Sequence, residues 1–128
     1  MKTKIVMFNH FIVRTVIFNS EDVHVHLLKK TKNTLSELDV KEYLPIKTPC
    51  VEIFKHFKKK IFGIKEIRVL KYEPVVFTNL GVCEIAGFYL TNKDDKTIMM
   101  GLYKKPVRVE NDDDIDIEFA LSEEEDSE

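Results

Sequence analysis

The chain of 128 residues has no Trp and only four Gly, four Pro and two Cys. So few glycines leave little for a loop of backbone amides around a phosphate, and no Gly-x-Ser-x-Gly, His-Glu-x-x-His or Cys-x-x-Cys motif is present. Cys50 and Cys83 lack the spacing of a zinc knuckle, so we expect two buried, reduced thiols. These absences predict a protein that is not an enzyme and that has no cofactor.

Long apolar runs are also missing, since none approaches the roughly 20 residues that cross a bilayer. The first 18 residues begin basic and turn apolar, but Asn9, His10 and Arg14 interrupt them and no small-residue cleavage site follows. We therefore expect no membrane association and a nuclear or cytoplasmic location.

Two histidines, His24 and His26, would lie on one face of a strand, about 7 Å apart. A metal site needs a third or fourth ligand, and only His10 and His56 remain as imidazole candidates. We interpret the pair as part of a solvated strand face and predict no metal site.

Charge is divided unevenly along the chain. The total is 20 Lys or Arg against 22 Asp or Glu, yet residues 110–128 contain 11 of the acids and no base. Residues 1–109 therefore have a formal charge of +9, which indicates a basic body followed by a strongly acidic end. Such asymmetry is typical of a protein with a charged partner.

Alternation with a period of two dominates the body and predicts an all-β fold, an antiparallel β-sandwich or jelly roll, over residues 1–109. Turn residues separate the apolar or alternating runs at 11–18, 22–28, 50–57, 60–70, 74–79, 82–90 and 97–103. The stretch 33–45 departs from this pattern, because Thr34 and Glu37 have capping-box spacing. It predicts one short helix, of one or two turns, or an ordered loop.

The segment 110–128 predicts an acidic, disordered tail, since like charges repel and apolar residues are few. An island, Ile115–Leu121, interrupts the acids and has two interpretations. It either docks on a partner or adds an edge strand to the body.

Lysines alternate with phenylalanines in "FKHFKKK", residues 54–60. Lys55, Lys58, Lys59 and Lys60 form a candidate contact for nucleic acid or for the acidic tail. In a strand, Phe57 would face the core, and the lysines at 58–60 would form a solvated hairpin turn.

Two segments resemble the nucleoplasmin-like family of histone chaperones, in particular the amino-terminal domain of nuclear FK506-binding proteins. "VIFNSEDVHVHLLKKT" (Val16–Thr31) is similar to an acidic turn and an apolar–His–apolar strand of the family, and "EPVVFTNLGVCEIAGFYL" (Glu73–Leu90) to its last two strands. Asn9 and His10 depart from the opening Phe-Trp-Gly motif of the family. The resemblance implies a pentameric ring of sandwiches that binds histones.

We therefore expect a homo-oligomeric histone chaperone, or a chaperone of other basic proteins, that binds its partner through the tail. The residues expected to bind are Asp112, Asp113, Asp114, Asp116, Glu123, Glu124, Glu125 and Asp126, with Phe119 as an apolar anchor. Deleting residues 111–128 should then abolish binding and leave the fold intact. One alternative is a viral or parasite-type β-sandwich interaction protein, and another is a nucleic-acid binder that its acidic tail autoinhibits.

Overall fold

A computed structural model describes residues 4–13 and 22–124, and these residues are all-β. Ten strands, numbered in chain order, lie in two five-stranded sheets. The strands are β1 (Lys4–Val13), β2 (Val23–Thr31), β3 (Thr34–Glu37), β4 (Ile46–Thr48), β5 (Cys50–Lys60), β6 (Gly63–Tyr72), β7 (Val75–Phe77), β8 (Cys83–Thr91), β9 (Thr97–Val109) and β10 (Asp114–Glu124).

Each sheet is built around a long central strand. Sheet A has the order β1-β10-β6-β5, with β7 also paired to β10, and sheet B has the order β3-β2-β8-β9, with β4 paired to β2. Every pairing is antiparallel except that of β1 with β10, which is parallel. The all-β prediction is confirmed. The predicted strand at residues 11–18 overlaps the end of β1, and its residues 14–18 lie outside the described part.

Alternation explains how the two sheets share a core. On β2 the side chains of Val23, Val25 and Leu27 are fully buried, and on β10 those of Ile115 and Ile117 are buried from the opposite sheet. Because successive strand residues point to opposite faces, these positions form one apolar layer between the sheets.

The acidic segment is not a disordered tail over its described length, so the prediction of disorder is wrong there. Asp114–Glu124 is a strand in the interior of sheet A, between β1 on one side and β6 and β7 on the other. Its odd-numbered apolar residues are buried in the core: Ile115, Ile117, Phe119 and Leu121. Alternation of acids with apolar residues outweighs the charge repulsion, because every second side chain can enter the core. A domain boundary at residue 110 does not match this packing.

The helix predicted within residues 33–45 is also wrong. Thr34–Glu37 is β3, which pairs with β2 after a tight turn in which Lys32 has a φ of 56°. Residues 38–45 form an ordered loop that buries Leu38 and Tyr43. The capping-box spacing does not produce a helix here, because the backbone of Thr34–Glu37 instead forms strand hydrogen bonds with β2.

Gly87 marks a close approach between β8 and β9. A Cβ atom built on Gly87 would lie 2.1 Å from the carbonyl oxygen of Gly101, at a register shift between Ile85 and Gly87. A side chain at this position therefore forces the two strands apart.

Gly87→Ala is expected to destabilise the protein by about 1–3 kcal/mol, because β9 must shift to admit the methyl group. Urea unfolding followed by circular dichroism measures the change. Glu84→Ala, at an exposed site on the same strand, is the matched control. An unchanged unfolding midpoint for Gly87→Ala would contradict the close approach.

Deleting residues 114–128 is expected to unfold the protein rather than leave it intact. Four buried apolar side chains of β10 would be lost, at about 1.5–3 kcal/mol each, against a total stability of about 5–15 kcal/mol. Circular dichroism measures the outcome. Deletion of residues 125–128 alone is the control, since it removes terminal acids but keeps all of β10.

Candidate functional site

The distal half of the β5–β6 hairpin, Lys55–Arg68, forms an extension that we call the arm. β10 pairs with β6 only over Ile67–Lys71, so within the described residues Gly63–Glu66 pair with β5 alone. β5 is the edge strand of sheet A, and β6 is the one described strand against which it packs extensively. Among the described residues, the part of the arm beyond Ile67 therefore has little support other than the pairing of β5 with β6.

Large apolar side chains of the arm are exposed. Ile61 and Phe62 form its tip and are 93% and 97% exposed, while Phe57 and Ile64 behind them are 67% and 73% exposed. A shallow cleft of about 400 Å³ lies beside the tip, lined by Phe57, Lys59, Lys60, Ile61, Gly63 and Ile64. Contiguous exposed apolar surface of this kind is typical of interaction sites.

The arm is also basic. It contains six Lys or Arg and one acid, Glu66, giving a formal charge of +5, whereas the other 114 residues contain 14 bases and 21 acids, giving −7. Lys55, Lys58 and Lys59 are exposed and Lys60 is half-buried. The Lys55–Glu66 ion pair, at 3.8 Å, is exposed and contributes little to stability.

The structure therefore corrects two expectations for this stretch. Phe57 does not face the core, and Lys58–Lys60 belong to β5 rather than to the turn, which Ile61 and Phe62 occupy. Sequence reasoning missed the tip. The sequence feature that could have identified the tip is the pair Ile61 and Phe62 between the lysine run and Gly63. Gly63 has a φ of 114°, which suits a tight turn.

An apolar groove opens on the outer face of sheet A at the base of the arm. Its volume is about 220 Å³. Phe54 and Val69 are cross-strand partners in its wall, and Ala120 lies opposite Lys71. The described residues that line it are Phe54, Val69, Lys71, Tyr72, Pro74, Glu118, Phe119 and Ala120.

The acids predicted to bind a partner do not act as a single flexible polymer. Asp113 accepts a hydrogen bond from the Glu110 amide at 2.9 Å and closes the β9–β10 turn, and Asp116 is buried within β10. Asp112 is exposed and Asp114 is half-buried, and both line an open cleft of about 250 Å³ with Asn79 and Asn111.

The remaining predicted binding residues lie elsewhere. Phe119 is not an exposed anchor, since it is in the core and stacks on Tyr72 with ring centroids 5.0 Å apart. Glu123 and Glu124 end β10, and Glu125 and Asp126 lie outside the described residues.

A polar cluster covers the outer face of sheet B. His26 Nδ1 donates to Glu37 Oε2 at 2.9 Å, and the Tyr43 and Tyr89 hydroxyls donate to the same carboxylate at 2.6 and 3.1 Å. In this tautomer, His26 Nε2 accepts from the Thr91 hydroxyl at 2.8 Å. His26 is therefore not on a solvated strand face, and it stacks on Tyr89 with centroids 4.3 Å apart.

The Thr91 hydroxyl, the His26 imidazole and the Glu37 carboxylate are hydrogen-bonded in the order of an acyl-transfer triad. Thr91, however, is only 3% exposed, so its oxygen has no room for a substrate. Tyr43 also accepts from the Leu27 amide at 3.0 Å, which ties the 38–45 loop to β2. The cluster therefore holds β3 and this loop against β2 and β8.

Burial acts to raise the pKa of Glu37, but hydrogen bonds from Tyr43 and His26 outweigh it and lower that pKa below 4.5. Burial and the neighbouring carboxylate raise the pKa of Tyr89 to about 12. The same two causes raise the pKa of Tyr43. All three groups therefore hold the protonation states that this network needs at neutral pH.

The cysteines correct a smaller expectation, because both are free but half-buried. Burial raises the pKa of each thiol. Within residues 4–13 and 22–124, no group of three or more His, Cys, Asp or Glu is placed to hold a metal ion. The same residues contain no helix of the length and apolarity needed to cross a membrane.

No protein-family model matches this chain, and neither a curated protein nor a solved structure matches it with significance.

Glu37→Gln is expected to lower the free energy of unfolding near neutral pH by about 1–3 kcal/mol, because three donors lose a charged acceptor. A lowered folded-state pKa gives stability that is present above the unfolded value, near 4.5, and is lost as the pH falls through the folded value. The difference between wild type and variant should therefore shrink below about pH 4.5.

Urea titrations at about pH 7 and about pH 3.5 measure that difference. Asp39→Asn is the control, since Asp39 makes an exposed ion pair with Lys29 outside the cluster. A difference that stays constant over this pH range would contradict the assigned role of Glu37.

Proposed function

We propose that the protein is a non-catalytic binding module that assembles with further copies of itself through the arm and, once assembled, binds a basic protein such as a histone. The finer architecture that accompanies this proposal is a nucleoplasmin-like jelly roll. The exposed apolar surface of the arm is the observation that carries the assembly part.

The apolar surface favours a protein contact over solvent exposure. Ile61 and Phe62 are almost completely exposed and adjacent, and Phe57 and Ile64 continue the apolar surface behind them. Burying this surface against another protein gains about 25 cal/mol for each Å² removed from water. An arm with little support from its own sheet also gains rigidity when a partner contacts it.

Charge supports a second copy as that partner. The arm has a formal charge of +5 and the rest of the chain −7. The basic arm of one copy is therefore attracted to the acidic remainder of another copy. The β9–β10 turn, with Glu110 and Asp112 exposed, lies at the opposite end of β10 from the end that pairs with β6. The exposed acids of this turn therefore lie at the end of sheet A away from the arm.

Binding of a basic partner would use the acids that remain accessible after assembly. The arms would lie in the contacts between copies, and this would leave the acidic remainder, including Glu110 and Asp112, on the outside of the assembly. Several copies in one assembly would multiply weak, salt-dependent contacts. This replaces a mechanism based on one flexible acidic tail.

Nucleic-acid binding is the second candidate, and the exposure of Lys55, Lys58 and Lys59 beside Phe57 favours it. Phe57 and Phe62 could stack on bases, whereas Ile61 and Ile64 are aliphatic and offer no stacking surface. Contact with a protein would bury all four side chains, which makes assembly the better explanation of the arm. A Lys58→Glu/Lys59→Glu variant that lost affinity for an oligonucleotide without a change in assembly would favour the second candidate.

The double variant Ile61→Ser/Phe62→Ser is expected to weaken self-association at least about tenfold, since it removes the apolar tip. Sedimentation velocity over a range of concentrations should show wild type above the mass of the 15.0 kDa chain and the variant shifted toward it. Histone binding, measured by fluorescence anisotropy, should weaken in parallel and fall with added salt.

Leu44→Ser is the matched control, because Leu44 is an exposed apolar residue of the 38–45 loop, outside the arm. It should assemble as wild type does. A wild type that sediments as a monomer at every concentration would refute the proposed assembly. Assembly without histone binding would refute the proposed partner alone.

A further inference from the structure

The outer-face groove of sheet A is shaped for a single apolar side chain. Phe54, Val69 and Ala120 give it an apolar wall, and its volume is about 220 Å³. An apolar cavity of about 150 Å³ is large enough to hold benzene. The groove therefore has room for the ring of a phenylalanine.

The protein cannot fill this groove with its own tip. Phe62 is seven residues from Val69 along the hairpin, and at about 3.3 Å per residue the two lie roughly 23 Å apart. Both positions belong to the same paired strands, so the hairpin cannot fold back on itself without breaking the β5–β6 ladder. A tip that fills this groove must therefore belong to another copy of the chain.

Charges around the two surfaces are complementary. Three acids against one base surround the groove in the described residues: Glu118 lines it, Glu52 lies across from the lining residue Lys71, and the exposed Glu73 follows Tyr72. The tip carries Lys58, Lys59 and Lys60 directly behind Ile61 and Phe62. A tip that enters the groove would bring these lysines to the acidic rim.

We infer that Phe62 of one copy inserts into the groove formed by Phe54, Val69 and Ala120 of a second copy. This inference rests on the proposed assembly through the arm and specifies its receptor. The contact joins two different surfaces, a tip and a groove, so it is not a contact between two arm tips.

A mixing experiment tests the pairing. Phe62→Ala lacks the tip ring but keeps the groove, and Val69→Trp fills the groove but keeps the tip. Each variant alone should sediment as a monomer at concentrations where wild type is assembled. Mixed in equal amounts, they should form a 1:1 complex, because one intact tip meets one intact groove.

The control mixture pairs Phe62→Ala with the double variant Phe62→Ala/Val69→Trp, in which no tip ring is present, and it should stay monomeric. Circular dichroism checks that each variant folds. If Val69→Trp does not fold, Ala120→Leu replaces it as the filling variant, and Phe54→Ala, at an exposed wall position, tests the groove independently and should weaken assembly at least about tenfold.

The outcomes separate this inference from the proposed function. If Val69→Trp assembles as wild type does while Phe62→Ala dissociates, the arm mediates assembly but the groove is not its receptor, and the inference is overturned. The same conclusion follows if the mixture stays monomeric. A monomeric wild type would overturn both the inference and the proposed assembly, and the tip would then serve a different protein, a membrane surface or a nucleic acid.

Discussion

The structure depends on the burial of one face of β10 in the middle of sheet A. Ile115, Ile117, Phe119 and Leu121 enter the core from a segment in which acids occupy most intervening positions. β10 also supplies backbone partners for β1, β6 and β7, so it joins the first described strand to strands from the middle of the chain. The aromatic stack of Phe119 on Tyr72 links it to the strand that continues into the arm.

That packing decides which surfaces remain for function. Because the acids of β10 are bound into a sheet, they cannot act as a loose polyanion that wraps a basic partner. Among the described residues, the arm remains exposed, and it is apolar at its tip, basic behind the tip and paired with β10 only at its base. Function by assembly follows more directly from this arrangement than function by a free tail.

The outer polar cluster of sheet B contributes stability. It gives both oxygens of Glu37 a donor from within the protein, and the carboxylate holds β3, β2 and β8 together through His26, Tyr43 and Tyr89. A carboxylate with three such partners resembles an active site in its chemistry. The burial of His26 and Thr91 makes it a structural clamp.

Period-two alternation was sufficient to predict the all-β fold and the approximate positions of most strands, because it follows from the geometry of a single strand. A separate pattern, lysines among phenylalanines at residues 54–60, indicated the lysines at 55 and 58–60 as a candidate contact. Alternation did not distinguish a buried strand from an acidic tail at Ile115–Leu121, since that depends on whether β1 and β6 offer partners. The capping-box spacing misassigned Thr34–Glu37, which pairs with β2 as the second strand of a tight hairpin.

The sequence by itself determined the alternation, the charge asymmetry and the lack of a catalytic motif, since each is a property of residue order alone. Only the tertiary structure decided that Phe119 is internal, that Phe57 and Phe62 are exposed, and that His26 meets Glu37 and Thr91. Side-chain exposure depends on where the neighbouring strands end. That in turn is set by pairings between residues far apart in the chain, such as Glu124 with Ile67.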